Sequence, residues 1–381
     1  MYKIHDKVYD LTEFVKIHPG GQDMFQHLEP YTNITPMIYS YHKNPKTIFT
    51  MLPKYEVPST NDTVIKYDTD YVYDRYCELK KLVYAEIHEK KIPLHWSSQE
   101  IAYNGFMFSV YLGMWAYCFY YYADVSHWWM ALLAISTVGF TILVYHETSH
   151  YTGFKNQKYN LAISKYYPFA TMNHWKYHHN YLHHSFTDTE YDQDCTITLL
   201  NVNILKFWDK PYIQYIYKFQ YIYQYIIWLI AGVVSQKNCY FSMLNSNKFI
   251  VFCIYYFLGL YKMLLFFSIL GFNFTFVAQV SHIQYECIQI NKENKNDYLY
   301  NQVSSSMNYK TDDPITRFIC FGLDIQIEHH LFPNIPHSSL RKIKHVVRAY
   351  CDKNDIPYIE KSSIFPAITS FTDYLYKMGN P

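Results

Sequence analysis

The chain of 381 residues is long enough for more than one domain, and a formal net charge of +1 argues against nucleic acid as a partner. Its eight cysteines (Cys77, Cys118, Cys195, Cys239, Cys253, Cys287, Cys320 and Cys351) include no C-x-x-C pair, which argues against a zinc ribbon or a disulfide framework. They read as packing residues in a reducing compartment, and the 43 tyrosines carry little functional weight.

Met1 to Asp10 is polar and charged where a cleavable signal peptide needs an apolar core, so the start of the chain is expected to stay in the cytosol. In KVYDLTEFVKIHPGGQDMF (7 to 25), His18 and Pro19 are followed by Gly20 and Gly21, which allow a close backbone approach and dihedrals that other residues resist. Asn61 to about Leu94 is charged and amphipathic, and CELKKLVYAEIHEKK (77 to 91) predicts a helix lying along a membrane surface.

Two charge-free runs follow, IAYNGFMFSVYLGMWAYCFYYYA (101 to 123) and HWWMALLAISTVGFTILVY (127 to 145). Each is near the ~20 residues that a helix needs to cross ~30 Å of hydrocarbon, and together they predict a transmembrane hairpin. Lys80, Lys81, Lys90 and Lys91 precede it and Lys155, Lys158 and Lys165 follow it, so both outer ends are expected to face the cytosol. Phe249 to Val280, broken by Lys262 and Gly271, would span about 48 Å as one helix, too long for a simple crossing. The favoured reading is a hairpin, roughly 248 to 262 and 263 to 281, with the aromatic segment 212 to 235 at the interface. The alternative makes 212 to 235 a third span and 249 to 281 a long helix projecting into the cytosol. Either count is even, so the later histidines return to the side of the first.

Those histidines come in three clusters and one isolated position. HETSH spells the H-E-x-x-H of zinc proteases, in which His146 and His150 share a helix face and Glu147 would activate water. It lies, however, at the cytosolic mouth of a predicted span, where a soluble protease has no need of it. In HHNYLHHSFTD, His179 and His183 are expected on one helix face, with His184 turned by about 100° so that adjacent histidines serve two metals. In DIQIEHHLFP, Gln326 stands three residues before His329 and His330, and His282 ends the last apolar run. Eight imidazoles exceed the three protein ligands of a catalytic zinc site, fit two metals, and suit iron, which has the redox chemistry zinc lacks.

HETSH, WKYHHNYLHHSFTD and GLDIQIEHHLFPNIPH resemble the three histidine boxes of the membrane fatty acid desaturase family, and the glutamine heading the third resembles its front-end subgroup. The resemblance implies iron ligation by His146, His150, His179, His183, His184, His282, His329 and His330. It leaves Gln326 either as a weak ligand through its carbonyl oxygen or as a hydrogen-bond partner of a ligand. Glu147 stands where the family usually has aspartate, and Asp188 and Asp324 where it often has asparagine. His174, His178 and His337 lie near the boxes without matching ligand positions and are expected to support the ligands or the fold.

The segment around His18-Pro19-Gly20-Gly21 is similar to the haem-binding core of cytochrome b5. His42 follows His18 by 24 residues, the separation of that family's two axial histidines, and MLPKYEVP (51 to 58) resembles its closing strand. The family's usual first strand and helix are expected to be missing or truncated, because the chain starts almost at KVYD.

These resemblances imply a mostly α chain. A small α+β cytochrome b5-like domain (1–60) would lead through a linker (61–94) to an integral membrane four-helix desaturase core with a cytosolic histidine-box cap (95–345), and then to a cytosolic tail (346–381). Two iron ions and haem b are the implied cofactors. The implied activity is front-end, delta-5/delta-6-like desaturation of an acyl-CoA or acyl-lipid chain, using O2 and electrons from NADH-cytochrome b5 reductase; no dinucleotide fingerprint occurs in the chain itself. A sphingoid-base desaturase, a lipid hydroxylase, and a membrane-tethered haem electron carrier with an inactive core are the alternatives. The implied placement is multi-pass among membrane lipids, in the endoplasmic reticulum, with the N-terminus, histidine boxes and C-terminus cytosolic.

Overall fold

The computed structural model of the chain describes residues 1–58, 64–121, 124–165, 175–189, 191–192, 198–199, 202–203, 217–241, 246–288 and 296–380. The N-terminal domain opens on a two-residue hairpin between β1 (Tyr2–Ile4) and β2 (Lys7–Tyr9), with His5 at φ 52°, in the left-handed region such a tight turn uses. The pair is antiparallel with Tyr2 opposite Tyr9; β3 (Thr32–Asn33) runs parallel to β1, and β4 (Glu56–Val57) antiparallel to β2. The sheet order is β3-β1-β2-β4. A strand therefore precedes KVYD after all: Tyr2 to Ile4 forms it, and Ile4 is buried with Tyr9, Leu11, Ile34, Ile38 and Leu52.

Helix α1 (Thr35–Tyr41) starts where the Asn33 side-chain oxygen accepts from the Thr35 backbone N–H at 3.1 Å and from the Thr35 hydroxyl at 2.7 Å. It ends as His42 turns extended ahead of Pro45. Helix α2 (Asp74–Glu89) carries Tyr76, Leu79, Val83 and Ile87 at helical spacing. That stripe does not lie on a membrane as expected. It is fully buried with Leu340, Ile343 and Val347, because a better apolar partner is available within the protein.

Helices α3 (Ser98–Tyr121) and α4 (His127–Phe140) are antiparallel neighbours, and α4 runs on through a π-helical turn, Thr141–His146. Helix α5 (Gln220–Phe241) packs on α6 (Ser246–Val280) through Trp228, which is fully buried against Phe272, Phe276 and Phe371. The break expected at 262/263 falls instead at Gly259, whose φ of 82° and ψ of 164° interrupt the helix, as a residue without Cβ permits. Residues 220–241 are thus a helix packed beside α6. Among the described residues, two helical stretches are long and apolar enough to cross a membrane, His127–Ser149 and Leu258–Val280. Both end beside histidines: His146 and His150 at the first, His282 at the second.

The cap is built from α7 (Tyr298–Ser304), α8 (Gln326–Leu331), α9 (His337–Lys353) and α10 (Ile364–Gly379). Residues 346–381, expected as a tail, continue α9 and form α10. Phe371, Tyr374 and Leu375 of α10 are buried with Trp228 and Val280.

Candidate metal centre

The histidines gather into two groups, all of them buried. His146, His150, His179, His184 and His329 bring one ring nitrogen each within 4.8 Å of one another, and His183, His282 and His330 do the same beside them. Within the first group Nε2 of His179 lies 2.9 Å from that of His146, 3.1 Å from that of His150 and 3.3 Å from that of His184. With bonds of about 2.0–2.1 Å to one ion, neighbouring ligand atoms stand about 3 Å apart, so this spacing is that of a coordination sphere. In the second group the three rings are 4.5–4.7 Å apart between centroids, and Gln326 Nε2 lies 3.3 Å from His282 Nε2.

The second histidine box does not divide as its α-helical spacing suggested. Lys176–His183 is π-helical, a form that pairs residue i with i+5. His179 therefore faces the first group with His184, while His183, expected to share a face with His179, turns to the second. His183 and His184 fall in different groups, and the allocation of His179 changes.

Outer partners set which nitrogen faces inward. Nδ1 of His183 lies 3.1 Å from Asp192 Oδ1, Nδ1 of His282 lies 2.9 Å from the Ser305 carbonyl, and Nδ1 of His330 lies 3.2 Å from Gln302 Oε1 and 3.0 Å from Thr187 Oγ1. Such partners hold the tautomer that leaves Nε2 free for a metal. Burial first, and then repulsion between neighbouring imidazoles, pushes His184, His329 and His330 well below the usual histidine range, which keeps them in the neutral form that binds metal. Both ring nitrogens of His329, Nε2 of His330 and Oε1 of Gln326 are buried without a hydrogen-bond partner. Buried polar atoms are rarely left so, and metal ions at the two groups would satisfy one nitrogen of His329, Nε2 of His330 and Oε1 of Gln326.

The remaining box residues brace this centre. Glu147 accepts from the Trp96 indole N–H and, at 2.9 Å, from the His337 backbone N–H. The His337 ring lies 5.1 Å from that of His329 and 5.4 Å from that of His146. Asp324 makes a two-oxygen pair with Arg341 at 2.6 and 2.7 Å. Asp188 donates its backbone N–H to Asp192 Oδ2 at 3.0 Å. His178 is half-buried one residue before His179, and His174 lies outside the described residues. Sequence reasoning missed Asp192, Gln302, Ser305, Asn180 and Tyr41. Asp192 alone carried a signal, as a carboxylate shortly after the second box.

The N-terminal domain holds a separate histidine pair. The His18 and His42 rings face each other with centroids 6.0 Å apart, about the separation of two imidazoles that sandwich one ion through bonds of ~2 Å. His18 Nδ1 donates to the Gly21 carbonyl at 2.9 Å and His42 Nδ1 to the Ile38 carbonyl at 3.2 Å, which leaves each Nε2 for a metal. A Cβ at Gly20 would stand 2.9 Å from His18 Cε1, so the ring requires a glycine there, and Gly21 is required by its own φ of +86°. The donor set and spacing fit a haem iron with two axial histidines.

The domains meet over this centre. Lys176, between the clusters' helices, is buried in an ion pair with Asp23, which also accepts from the Tyr151 hydroxyl at 3.0 Å. Tyr181 donates to the Asn33 carbonyl at 2.9 Å, and Lys80 of α2 to the His42 carbonyl at 2.7 Å.

Comparison with known proteins gives the same two parts. The fatty acid desaturase profile matches residues 126–362, and that of the cytochrome b5-like haem/steroid binding domain matches residues 2–57. A probable delta(5) fatty acid desaturase C of Dictyostelium discoideum is 25% identical over 98% of this chain and 90% of its own length. An acyl-lipid (8-3)-desaturase of Physcomitrium patens is 25% identical over 99% and 87%. An sn-1 linoleoyl-lipid 6-desaturase of Synechocystis is 25% identical over 65% and 79%. No solved structure matches the chain.

Proposed function

This chain belongs to the fatty acid desaturase family and carries a cytochrome b5-like domain, and we propose that it is a front-end acyl desaturase drawing electrons through that domain. The observation that carries the reading is the pair of buried histidine groups, five and three, with Gln326 beside the second. A methylene chain has neither an acidic proton nor a leaving group, so polar side chains have no route to an alkene. Two irons and a haem supply the O2 and one-electron chemistry that the side chains lack.

The residues supply the rest. His146, His150, His179, His184 and His329 would hold one iron, and His183, His282 and His330 the other, with Gln326 offering an amide oxygen or a hydrogen bond there. His18 and His42 would hold the haem iron, and a haem held by two histidines would supply one-electron transfer. Asp192, Ser305, Gln302 and Thr187 keep ring N–H groups pointing outward, and burial of the whole centre excludes water.

Two of the named relatives are by name acyl-lipid and linoleoyl-lipid desaturases, which supports an acyl-lipid chain as substrate. Membrane insertion is supported by the two apolar stretches and by the outward apolar faces of α3 to α6. There Phe106, Leu112, Leu132, Ile226 and Leu264 are exposed, a surface suited to lipid rather than water. A multi-pass, four-helix core in the endoplasmic reticulum, with the histidine cap cytosolic and NADH-cytochrome b5 reductase as electron source, completes the proposal.

The test is lipid profiling of yeast that express the full chain and are fed candidate polyunsaturated acids. A product with a new cis double bond between an existing one and the carboxyl end is the expected result. A hydroxylated product, a desaturated long-chain base, or an unchanged profile in haem-loaded cells would overturn the reading.

A further inference from the structure

Nδ1 of His183, His282 and His330 each finds its partners within the desaturase region, whereas Nδ1 of His150, with Asn180 Nδ2 at 3.3 Å, has a nearer partner from the other domain. Tyr41 Oη lies 3.0 Å from His150 Nδ1, with the two rings nearly parallel at 13°. Tyr41 is the last residue of α1 and the direct neighbour of His42. We propose that Tyr41 is a positioning residue of the metal centre: it fixes His150 from the haem-binding side and links His42 to the five-histidine group through one peptide unit, one ring and one hydrogen bond. The proposal rests on the desaturase reading above, since it takes both histidine sets as metal ligands.

The surroundings hold the hydroxyl in place. With His150 Nε2 turned to the group, Nδ1 carries the hydrogen and donates to Tyr41 Oη. Asn180 Nδ2 donates to the same oxygen at 3.3 Å and to the Ser149 carbonyl at 3.0 Å. Asn334 donates to the Tyr41 carbonyl at 3.0 Å, and Lys80 to the His42 carbonyl at 2.7 Å, so the backbone here is tied to the desaturase region at Tyr41 and to the linker helix α2 at His42. A haem held by His18 and His42 would supply single electrons, and this link would be the route from His42 toward an iron held by His150. NADH, through the separate reductase, restores the haem. A partner on Nδ1 sets the orientation and basicity of the ligand, and loss of such partners costs metal sites 10–100-fold in affinity or activity.

The experiment uses the full-length, haem- and iron-loaded protein and the variant Tyr41→Phe, which keeps the ring and removes only the oxygen. Haem content and the low-spin haem spectrum are expected to stay at wild-type values. The Mössbauer signature of one of the two irons should shift, and reoxidation of pre-reduced haem with O2 and acyl substrate should slow about 10-fold or more. Asn334→Ala, which loosens the domain contact but leaves the hydroxyl, should keep the wild-type iron signature. An unchanged iron signature and reoxidation rate in Tyr41→Phe would overturn the proposal, as would equal shifts in both variants, which would trace the effect to docking. If wild type shows the Tyr41-dependent iron signature but forms no alkene, the substrate reading fails while the role of Tyr41 stands. Wild-type protein that takes up no iron would sink both.

Discussion

His179 and His184, five residues apart, bring their Nε2 atoms to 3.3 Å, while His183, between them in sequence, faces the other histidine group. This division by a π-helical turn makes the two neighbours separable by metal analysis. His184→Ala removes one of five candidate ligands, whereas His183→Ala removes one of three. His183→Ala is therefore expected to drop iron from about two per chain to about one, by the coordination arithmetic of a three-histidine group. His184→Ala should retain more iron, and both should abolish desaturation. Equal iron loss in the two variants would contradict the division.

Asp192 is expected to behave as part of the centre although no ligand position falls on it. Its carboxylate accepts from His183 Nδ1 and from the Asp188 backbone N–H. Asp192→Asn keeps the shape and removes the charge, and should weaken iron affinity at the three-histidine group 10–100-fold. Titration of apo-protein with ferrous iron would show this as one weakened site beside one unchanged site.

Gln326 carries the front-end assignment. Its Oε1 is buried without a hydrogen-bond partner and its Nε2 is 3.3 Å from His282 Nε2. Gln326→Ala should lower desaturation severely while haem content and membrane insertion stay normal, and Gln326→His should keep part of the activity. Wild-type turnover and product from Gln326→Ala would return the chain to a desaturase of undefined regioselectivity.

The haem pair gives a pH prediction. Burial, more than anything else, pushes His42 down to about 4. A histidine lowered in the folded state costs nothing above its unfolded value of about 6.5, where both states are neutral. Between about 6.5 and 4 the unfolded chain takes up the proton first, so stability falls as pH falls, and below that His42 itself protonates and can no longer bind iron. The haem absorbance of the full-length protein should hold above neutrality and be lost on acidification toward pH 4. His42→Ala should lack the low-spin spectrum at every pH. Gly20→Ala should also lose haem, because its methyl would meet the His18 ring.

At the first box, purified protein should hold close to two irons with little zinc, and either His146→Ala or His150→Ala should abolish activity. One zinc per chain together with peptidase activity would instead restore the protease reading of HETSH.

Much of this was legible in the residues themselves, for identifiable reasons. Histidine clustering is a matter of residue type and spacing, so the gathering of His146, His150, His329 and His330 into the buried groups could be read directly. Their sorting into groups depends on local helix geometry, and i, i+4 reasoning misassigned His179 because nothing in KYHHNYLH marks a π-helix. Tertiary partners are harder still. Tyr41 reaches His150 across 109 positions, and Gln302 reaches His330 across 28. The stripe on α2 looked like a lipid-facing surface because a sequence shows that a face is apolar, not what covers it.

The buried Lys176–Asp23 pair bears on how the two parts of this chain came to work as one. A mobile cytochrome meets its acceptor by collision, steered by surface charges that salt screens within about 10 Å at 0.1 M. A pair whose lysine is fully buried is screened less than a surface pair, and fusion replaces the encounter with a fixed effective concentration. Delivery of electrons should then be indifferent to ionic strength and to how much free cytochrome the membrane holds. Stoichiometry is set at one carrier per catalyst, by translation rather than by expression level.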